Sequence, residues 1–483
     1  MHWRTASTSL ALGAGAAVVW ACAVNPVTGK SQFSLVSESQ EIDMGRQNAQ
    51  SVAQSIGYYD DPATQAYVAD VGRKMAVASE RPQLPWEFHV VNDASVNAFA
   101  LPGGFIFVTR GLMTSITNEA ELATVVGHEI GHVTNRHSVQ QISRAQIAQI
   151  GLGVGSILNS TVAQYSGAFG QGLGVLFLKY SRDAESEADL AGFRYALDQG
   201  YDVRQMINMF QTLQAVSQLS GGGRLPEWLA THPDPENRIK TTEGRLDTLH
   251  KDLTRSIIRR DEYLQRINGM VYGEDPRQGF FRETAFLHPD LKFQLQFPDG
   301  WKTQNTADAV VGASPKQDAM IRLQLAGKTP PADAARQFLS QQGVQAGQGT
   351  TQPVNGLAAV ASYFAAQSEQ GQVEGLVTFV SYGGNTYGIL AYTGAGGLRT
   401  YDQAFRGTAG SFRELRDPSA LNVKPARIEL VKVDQAMTVA EFHQRYPSTV
   451  RIEEVALING VDGPDATLTP GQYKRVVGGM GHQ

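Results

Sequence analysis

His128-Glu129-Ile130-Gly131-His132 sets two imidazoles and a carboxylate at a spacing that can hold and use a metal ion. On a helix, four residues advance about 400°, so His128 and His132 project from one face about a turn apart. Two such nitrogens can reach one Zn2+ ion at about 2.0–2.1 Å. Glu129 lies about 100° round the helix, beside the metal, where a general base can take a proton from a water. The preceding residues support a helix: Leu122, Val125 and Val126 give one side to bury, and Asn118 or Thr117 can cap its start. Gly127 and Gly131 are poor helix formers about a turn apart, and they suit a helix that another element or a substrate approaches closely.

A catalytic zinc takes three protein ligands and keeps one open position. A histidine six residues after His132 would supply the third in one metalloprotease class, but that position is Ser138 and position 135 is Asn135. His137 is one residue short. On a continuing helix it points about 140° away from His132, as a surface or core histidine. Glu185-Ser186-Glu187-Ala188-Asp189 is the better source. Glu185 and Asp189 share a helix face. Glu185 can ligate, and Asp189 can accept a ligand histidine's other N–H. Glu187 points roughly opposite and reads as solvated.

The helices and strands that must place these groups occupy only part of the chain. Its 483 residues predict roughly three domains at about 150 residues each. At 42% hydrophobic and 18% charged, the chain can bury real cores. A net charge of −5 without a basic patch excludes a nucleic-acid binder. Residues 22–270 read as mainly helical, with helices over Thr64 to Ala78 and Glu119 to Gln149 and strands at Glu87 to Val91 and Phe105 to Thr109. Ala145 to Leu178 carries no charge and is glycine-rich; it reads as two short packed or interfacial helices, and the Gly170–Gly174 spacing is a weak helix-contact signal. Glu274 to Gly279 marks a boundary. Residues 281–416 alternate as strands with two helical stretches, an α+β domain with an antiparallel sheet. Residues 424–478 read strand–helix–helix–strand.

Cys22 is the only cysteine, which excludes an intramolecular disulfide. It follows a positive start and an apolar stretch of about 13 residues, too short for a span of about 20. Residues 1–21 therefore predict an export signal, and Ala21-Cys22 predicts a lipoprotein cleavage site with Cys22 as the lipidated residue. Ala23 after it is compatible with sorting to an outer membrane. The expected location is periplasmic and lipid-anchored.

Four motifs in order resemble metallopeptidase family forty-eight. They are Asn97-Ala-Phe-Ala-Leu-Pro-Gly-Gly-Phe-Ile-Phe-Val-Thr-Arg-Gly111, His128-Glu-x-x-His132, Ser181-Arg-x-x-Glu185-x-Glu-Ala-Asp189 and His232-Pro-Asp-Pro-Glu-Asn-Arg238-Ile. The resemblance covers residues 25 to 245, and Asn25-Pro-Val-Thr-Gly-Lys30 is similar to exported lipoprotein members. It implies a mainly α, gluzincin-type metalloprotease domain with a small β-sheet. It implies His128, His132 and Glu185 as zinc ligands and Glu129 as base. It implies that Phe105, Ile106, Phe107 and Val108 form an edge strand for an extended polypeptide substrate. It also implies that His232 lies over the metal, as a fourth ligand that latches the site or as a transition-state donor. No set of four long apolar spans and no helical repeat of about 34 residues accompanies these motifs.

Phe297-Pro-Asp-Gly-Trp301 resembles the start of PsbP-like domains. Met437-Thr-Val-Ala-Glu-Phe442, Leu457-Ile-Asn-Gly460 and Leu468-Thr-Pro-Gly471 are similar to a LysM module, which implies peptidoglycan as a partner. The expected activity is a zinc endopeptidase of the bacterial envelope acting on misfolded or unassembled proteins. The alternatives are a latched chaperone or assembly factor, and a cell-wall-binding protein with a vestigial protease domain.

Overall fold

The computed structural model describes residues 22–152, 179–219, 228, 231–306, 309–368 and 371–479. The expected export signal and the uncharged stretch from residue 153, with its Gly170–Gly174 spacing, lie outside them. The chain forms two compact units. One contains residues 22–274 and 426–479, the other residues 275–425. Among the described residues no helix is long and apolar enough to cross a membrane.

The first unit opens with an antiparallel ribbon of β1 (Cys22–Val24) and β2 (Ser31–Phe33), then α1 (Glu38–Ser55) and α2 (Pro62–Ala76). Next come β3 (Glu87–Val91), β4 (Ala98–Leu101) and β5 (Phe105–Thr109), which among the described residues form a sheet in the order β3-β5-β4. β5 runs parallel to β3 and antiparallel to β4, and it is buried along its whole length. This corrects the expectation of an edge at Phe105, Ile106, Phe107 and Val108. Both edges of that strand are already spent on β3 and β4. The cause is in the residue types: an unbroken apolar run has two faces to bury and belongs in a sheet's interior.

A short helix α3 (Arg110–Ser115) leads to α4 (Glu119–Thr134), whose first turn is capped by the Asn118 side chain accepting from Glu121 N–H. Every residue of α4 is buried, so it is the central rod of the unit. The helical stretch read over Glu119 to Gln149 is in fact two helices. Arg136 takes a left-handed φ of 59°, and α5 (His137–Leu152) starts afresh on a new axis. Contacts distant in sequence hold the break. Arg136 Nε donates to Glu41 Oε2 at 3.0 Å and Nη2 to Val36 O at 2.9 Å. Asn25 Nδ2 donates to Asn135 Oδ1 at 3.2 Å, so the segment after Cys22 is fastened to the end of α4. Buried Arg81 adds bonds to Glu41 Oε1 (2.7 Å) and Val133 O (2.9 Å). Stripping one partner from such a buried ion pair costs about 3–5 kcal/mol.

The next helix, α6 (Arg182–Asp198), is capped by Ser181 accepting from Ala184 N–H, and it packs directly on α4. Glycines set the closeness. A Cβ on Gly131 would lie 2.8 Å from Ala188 O, and one on Gly192 would lie 2.6 Å from His128 N. The helices α7 (Gln205–Leu219), α8 (Pro235–Asp247) and α9 (Arg260–Ile267) complete the shell round the core.

The second unit, taken alone, is α+β. The strands β6 (Phe280–Arg282), β7 (Ala285–His288) and β8 (Phe293–Gln296) pair as an antiparallel sheet. A larger sheet comprises β9 (Lys302–Asn305), β10 (Ala309–Ala313), β11 (Ala319–Leu325), β12 (Val344–Thr350), β13 (Ala359–Ser368), β14 (Gly371–Tyr382) and β15 (Asn385–Gly394). Its order among the described residues is β12-β13-β14-β15-β11-β10-β9, with all neighbours antiparallel. The helices α10 (Pro331–Leu339) and α11 (Leu398–Ser411) pack on it. A two-residue strand β16 (Arg413–Glu414) joins β8, and α12 (Pro418–Leu421) follows.

The last segment returns to the first unit. β17 (Ala426–Val433) pairs with β20 (Gly471–Gly478) around α13 (Val439–Arg445) and α14 (Ile452–Ile458), with β18 (Met437–Thr438) and β19 (Thr467–Leu468) between. It has a small core of its own round Phe442 and Val455. Yet it does not stand apart as a third unit. Lys474 Nζ, fully buried, donates to Thr114 O at 3.0 Å and Ile116 O at 2.7 Å, just before α4.

Candidate metal centre

Four residues from three places converge. His128 and His132 come from one face of α4, Glu185 from the first turn of α6, and His232 from the turn before α8. Each offers a ligand atom within 4.8 Å of the others, and all four are buried. His128 Nε2 lies 3.0 Å from His132 Nε2 and 3.3 Å from His232 Nδ1. Glu185 Oε1 lies 3.0 Å from His232 Nδ1 and 3.6 Å from His132 Nε2, and its Oε2 lies 3.7 Å from His128 Nε2. Glu129 stands beside this group, with Oε1 3.8 Å from His232 Nε2.

The outward nitrogens explain the inward ones. His128 Nδ1 meets Asp189 Oδ1 at 2.9 Å, so its proton is held there and Nε2 is bare. Asp189 is held in turn by Arg238, through Nε to Oδ2 at 2.8 Å and Nη2 to Oδ1 at 2.5 Å. Burial works against ionising Asp189, but Arg238 outweighs it and keeps the carboxyl below its usual range. Arg238 also reaches Glu185 Oε2 at 3.2 Å, and its guanidinium lies 4.4 Å from the ring centres of Phe210 and Trp228. His132 Nδ1 meets His137 Nδ1 at 2.9 Å, and the His132 ring stacks on Tyr180 at 4.0 Å.

The electrostatics suit a cation. Burial, reinforced by the neighbouring imidazoles of His128 and His137, pushes His132 well below its usual range, so its ring stays neutral with a free lone pair. Burial resists the Glu185 charge, but His232 and Arg238 overcome it and hold Glu185 ionised. Burial raises Glu129, although the neighbouring imidazoles of His232 and His128 pull the other way. Glu129 Oε1 is buried without a hydrogen-bond partner, and Glu185 Oε2 has its ion pair with Arg238 but no hydrogen bond, so both oxygens can take a further partner. Two bare imidazole nitrogens at 3.0 Å facing a carboxylate form a donor set that a divalent metal satisfies.

The structure thus brings together His128, Glu129, His132, Glu185, Asp189 and His232. It leaves Phe105 to Val108 inside the sheet, and Cys22 in the β1–β2 ribbon. It corrects two readings. His137 does not face away, because the break at Arg136 turns it back onto His132. Nor is Glu187 a free solvated acid: its Oε2 pairs with His137 Nε2 at 3.1 Å, and this bond holds its carboxyl below the usual range. Sequence reasoning assigned no role to Arg238, Tyr180 or Trp228. Arg238 carried a signal, standing six residues after His232 within one of the quoted motifs.

Comparison with known proteins places the same stretch. Residues 62–246 match Peptidase family M48. The β-barrel assembly-enhancing protease of Yersinia pestis is 30% identical over 262 residues, 52% of this chain and 52% of that protein. The mitochondrial metalloendopeptidase OMA1 of Bos taurus is 31% identical over 238 residues, 45% of this chain and 44% of that one. The matched region is therefore about half the length of these relatives. The solution structure of cyanobacterial PsbP from Synechocystis sp. PCC 6803 aligns with 27% of this chain and 91% of its own, at 14% identity and a TM-score of 0.23. The stretch that matches peptidase family M48 is the one that builds the metal centre.

Proposed function

We propose that this chain is a zinc endopeptidase of the bacterial cell envelope. The observation that carries the reading is the buried cluster of His128, His132 and Glu185, with Glu129 at its side and carboxylate oxygens left without hydrogen bonds. His128 Nε2, His132 Nε2 and Glu185 hold the ion in this reading. A bound zinc ion supplies Lewis acidity toward a peptide carbonyl and makes a nearby water more acidic. Glu129 accepts the proton of the attacking water and passes it to the leaving amine. Its burial-raised pKa suits a group that must hold a proton between two transfers. Asp189 and Arg238 keep the His128 ring in place. An extended substrate adds to β4, the terminal strand of the sheet that packs on the helix carrying both histidines.

Similarity to proteins named as β-barrel assembly-enhancing proteases supports envelope proteins as the substrates, unassembled or misfolded ones above all. Lipid anchoring through Cys22 and glycan contact through residues 424–478 belong to the same proposal. The purified protein and its Glu129→Gln variant test the core of it. One zinc per chain in both, with casein cleaved by the wild type alone, is expected. Absence of zinc from both would sink the reading.

One observation favours a second reading, an assembly factor whose peptidase is latched. His232 closes the ligand set, and every group of the centre is buried. Zinc in both proteins with cleavage by neither would favour it.

A further inference from the structure

Apart from the ligand set, one buried histidine of the first unit lies against a ligand and has both ring nitrogens engaged. His137 Nδ1 is 2.9 Å from His132 Nδ1, and His137 Nε2 is 3.1 Å from Glu187 Oε2. The His137 side chain is only 3% exposed, whereas Glu187 is 36% exposed. We propose that His137 and Glu187 form a hydrogen-bonded relay that positions His132 for metal binding. The proposal rests on the zinc reading of the centre.

Proton counting gives the relay its direction. A His132 that offers Nε2 to a metal carries its proton on Nδ1. That N–H donates to His137 Nδ1, which must then be the bare nitrogen of its ring. The His137 proton therefore stands on Nε2 and is donated to Glu187. One arrangement satisfies all three groups. His137 is excluded as a further ligand in this arrangement, since neither of its nitrogens is free to turn inward.

The two ligand histidines are thus supported differently. His128 leans directly on Asp189, whose charge Arg238 offsets. His132 leans on a neutral imidazole, and the carboxylate stands one group further out, near solvent. Tyr180, stacked on the His132 ring at 4.0 Å, blocks one face and leaves the hydrogen bond to set the remaining rotation. The relay exists only because the helix breaks. On a continuous helix His137 would stand about 140° from His132. The left-handed Arg136, held by Glu41 and Val36, swings it back. His137 is on this view a positioning residue, not a catalytic one.

The test is zinc affinity, measured on the whole protein by competition with a chelator. His137→Leu should weaken binding about 10–100-fold, the usual loss when such a supporting group is removed. His137→Asn, whose Oδ1 can stand where Nδ1 stood, should recover most of that loss. Glu187→Ala should weaken binding several-fold. The metal-free forms should melt together, which separates positioning from folding. The relay is overturned if His137→Leu binds within twofold of the wild type, or if His137→Asn is as weak as His137→Leu. Should His137→Leu fail to fold, Glu187→Ala decides alone, and unchanged affinity there rejects the relay. A wild type without zinc overturns the metal reading itself. A zinc-loaded wild type with unaffected variants overturns only the relay.

Discussion

His232 Nδ1 sits 3.3 Å from His128 Nε2 and 3.0 Å from Glu185 Oε1, so in the proposed peptidase reading it competes for the position a substrate carbonyl needs. Its ring is stacked on Trp228 at 4.7 Å, and its turn leads straight into α8, where Arg238 is pinned to Asp189. Opening the site therefore means lifting one side chain off an aromatic face rather than unfolding a helix. His232→Ala should keep one zinc per chain, because three ligands suffice for a catalytic site. It should raise cleavage of an unfolded substrate several-fold. A fall in cleavage with zinc retained would instead make His232 a working group of the reaction. The residue types that the motif spacing exposes are those whose geometry is local: His128, Glu129 and His132 lie on two turns of one helix. Glu185 and Asp189 become legible by the same i, i+4 rule. Arg238 and His137 are different, because each acts on a group that the chain reaches only after it has folded.

Between elements, the crossing of α4 and α6 decides whether Glu185 meets the histidines at all. Gly192 faces His128 N at a distance that leaves no room for a methyl group. Gly192→Ala should push α6 outward. Overpacking of this kind costs about 1–3 kcal/mol, which for a unit of this size lowers Tm by roughly 2–10 °C. Activity should fall further than stability suggests, since misplacing a ligand by about 1 Å can cost roughly a hundredfold. Unchanged zinc affinity and activity in Gly192→Ala would show that the close crossing is not needed. The paired glycines of α4 announced this approach, and they did so because nothing else explains poor helix formers in a buried helix. The break after α4 was not announced. Arg136 is an ordinary helix former, and its left-handed φ is imposed by Glu41 and Val36, which lie far off in sequence. The strand β5 is legible as a strand, but its place inside the sheet rather than at an edge is not, since pairing is a property of the sheet rather than of the segment. In the second unit β12 shows no alternation to read. It is a polar edge, exposed from Gln345 to Thr350.

At the scale of the first unit, the final strand reaches back to the start of the metal helix. Lys474 donates to Thr114 O and Ile116 O. Nearby, Glu121 accepts from Thr117 N–H, Thr117 Oγ1–H and Asn118 Nδ2, the residues that cap α4. Burial pulls Lys474 down to about 7, against the attraction of Glu121 and with the help of Arg260. Burial raises Glu121, against its bonds from Thr117 and the pull of Lys474. The unfolded lysine keeps its proton up to 10.5, the ordinary value, while the folded one has released it by about 7. Between those limits the unfolded chain binds more protons, so stability from this group increases as pH rises, by at most about 1.4 kcal/mol per pH unit. Glu121 acts in the opposite sense and lower down. Its folded form holds a proton that the unfolded form loses near 4.5, so its contribution falls as pH climbs through the mildly acidic range. Lys474→Met isolates the lysine. It leaves two buried carbonyls short of a donor, which costs about 1–3 kcal/mol near neutral pH. The gap in Tm between wild type and variant should then widen steadily from pH 7 to pH 10, because only the wild type gains on the alkaline side. Parallel curves across that range would mean that Lys474 stays charged in the fold, paired with Glu121, and that the last segment is fastened to the metal helix by an ion pair rather than by a neutral amine.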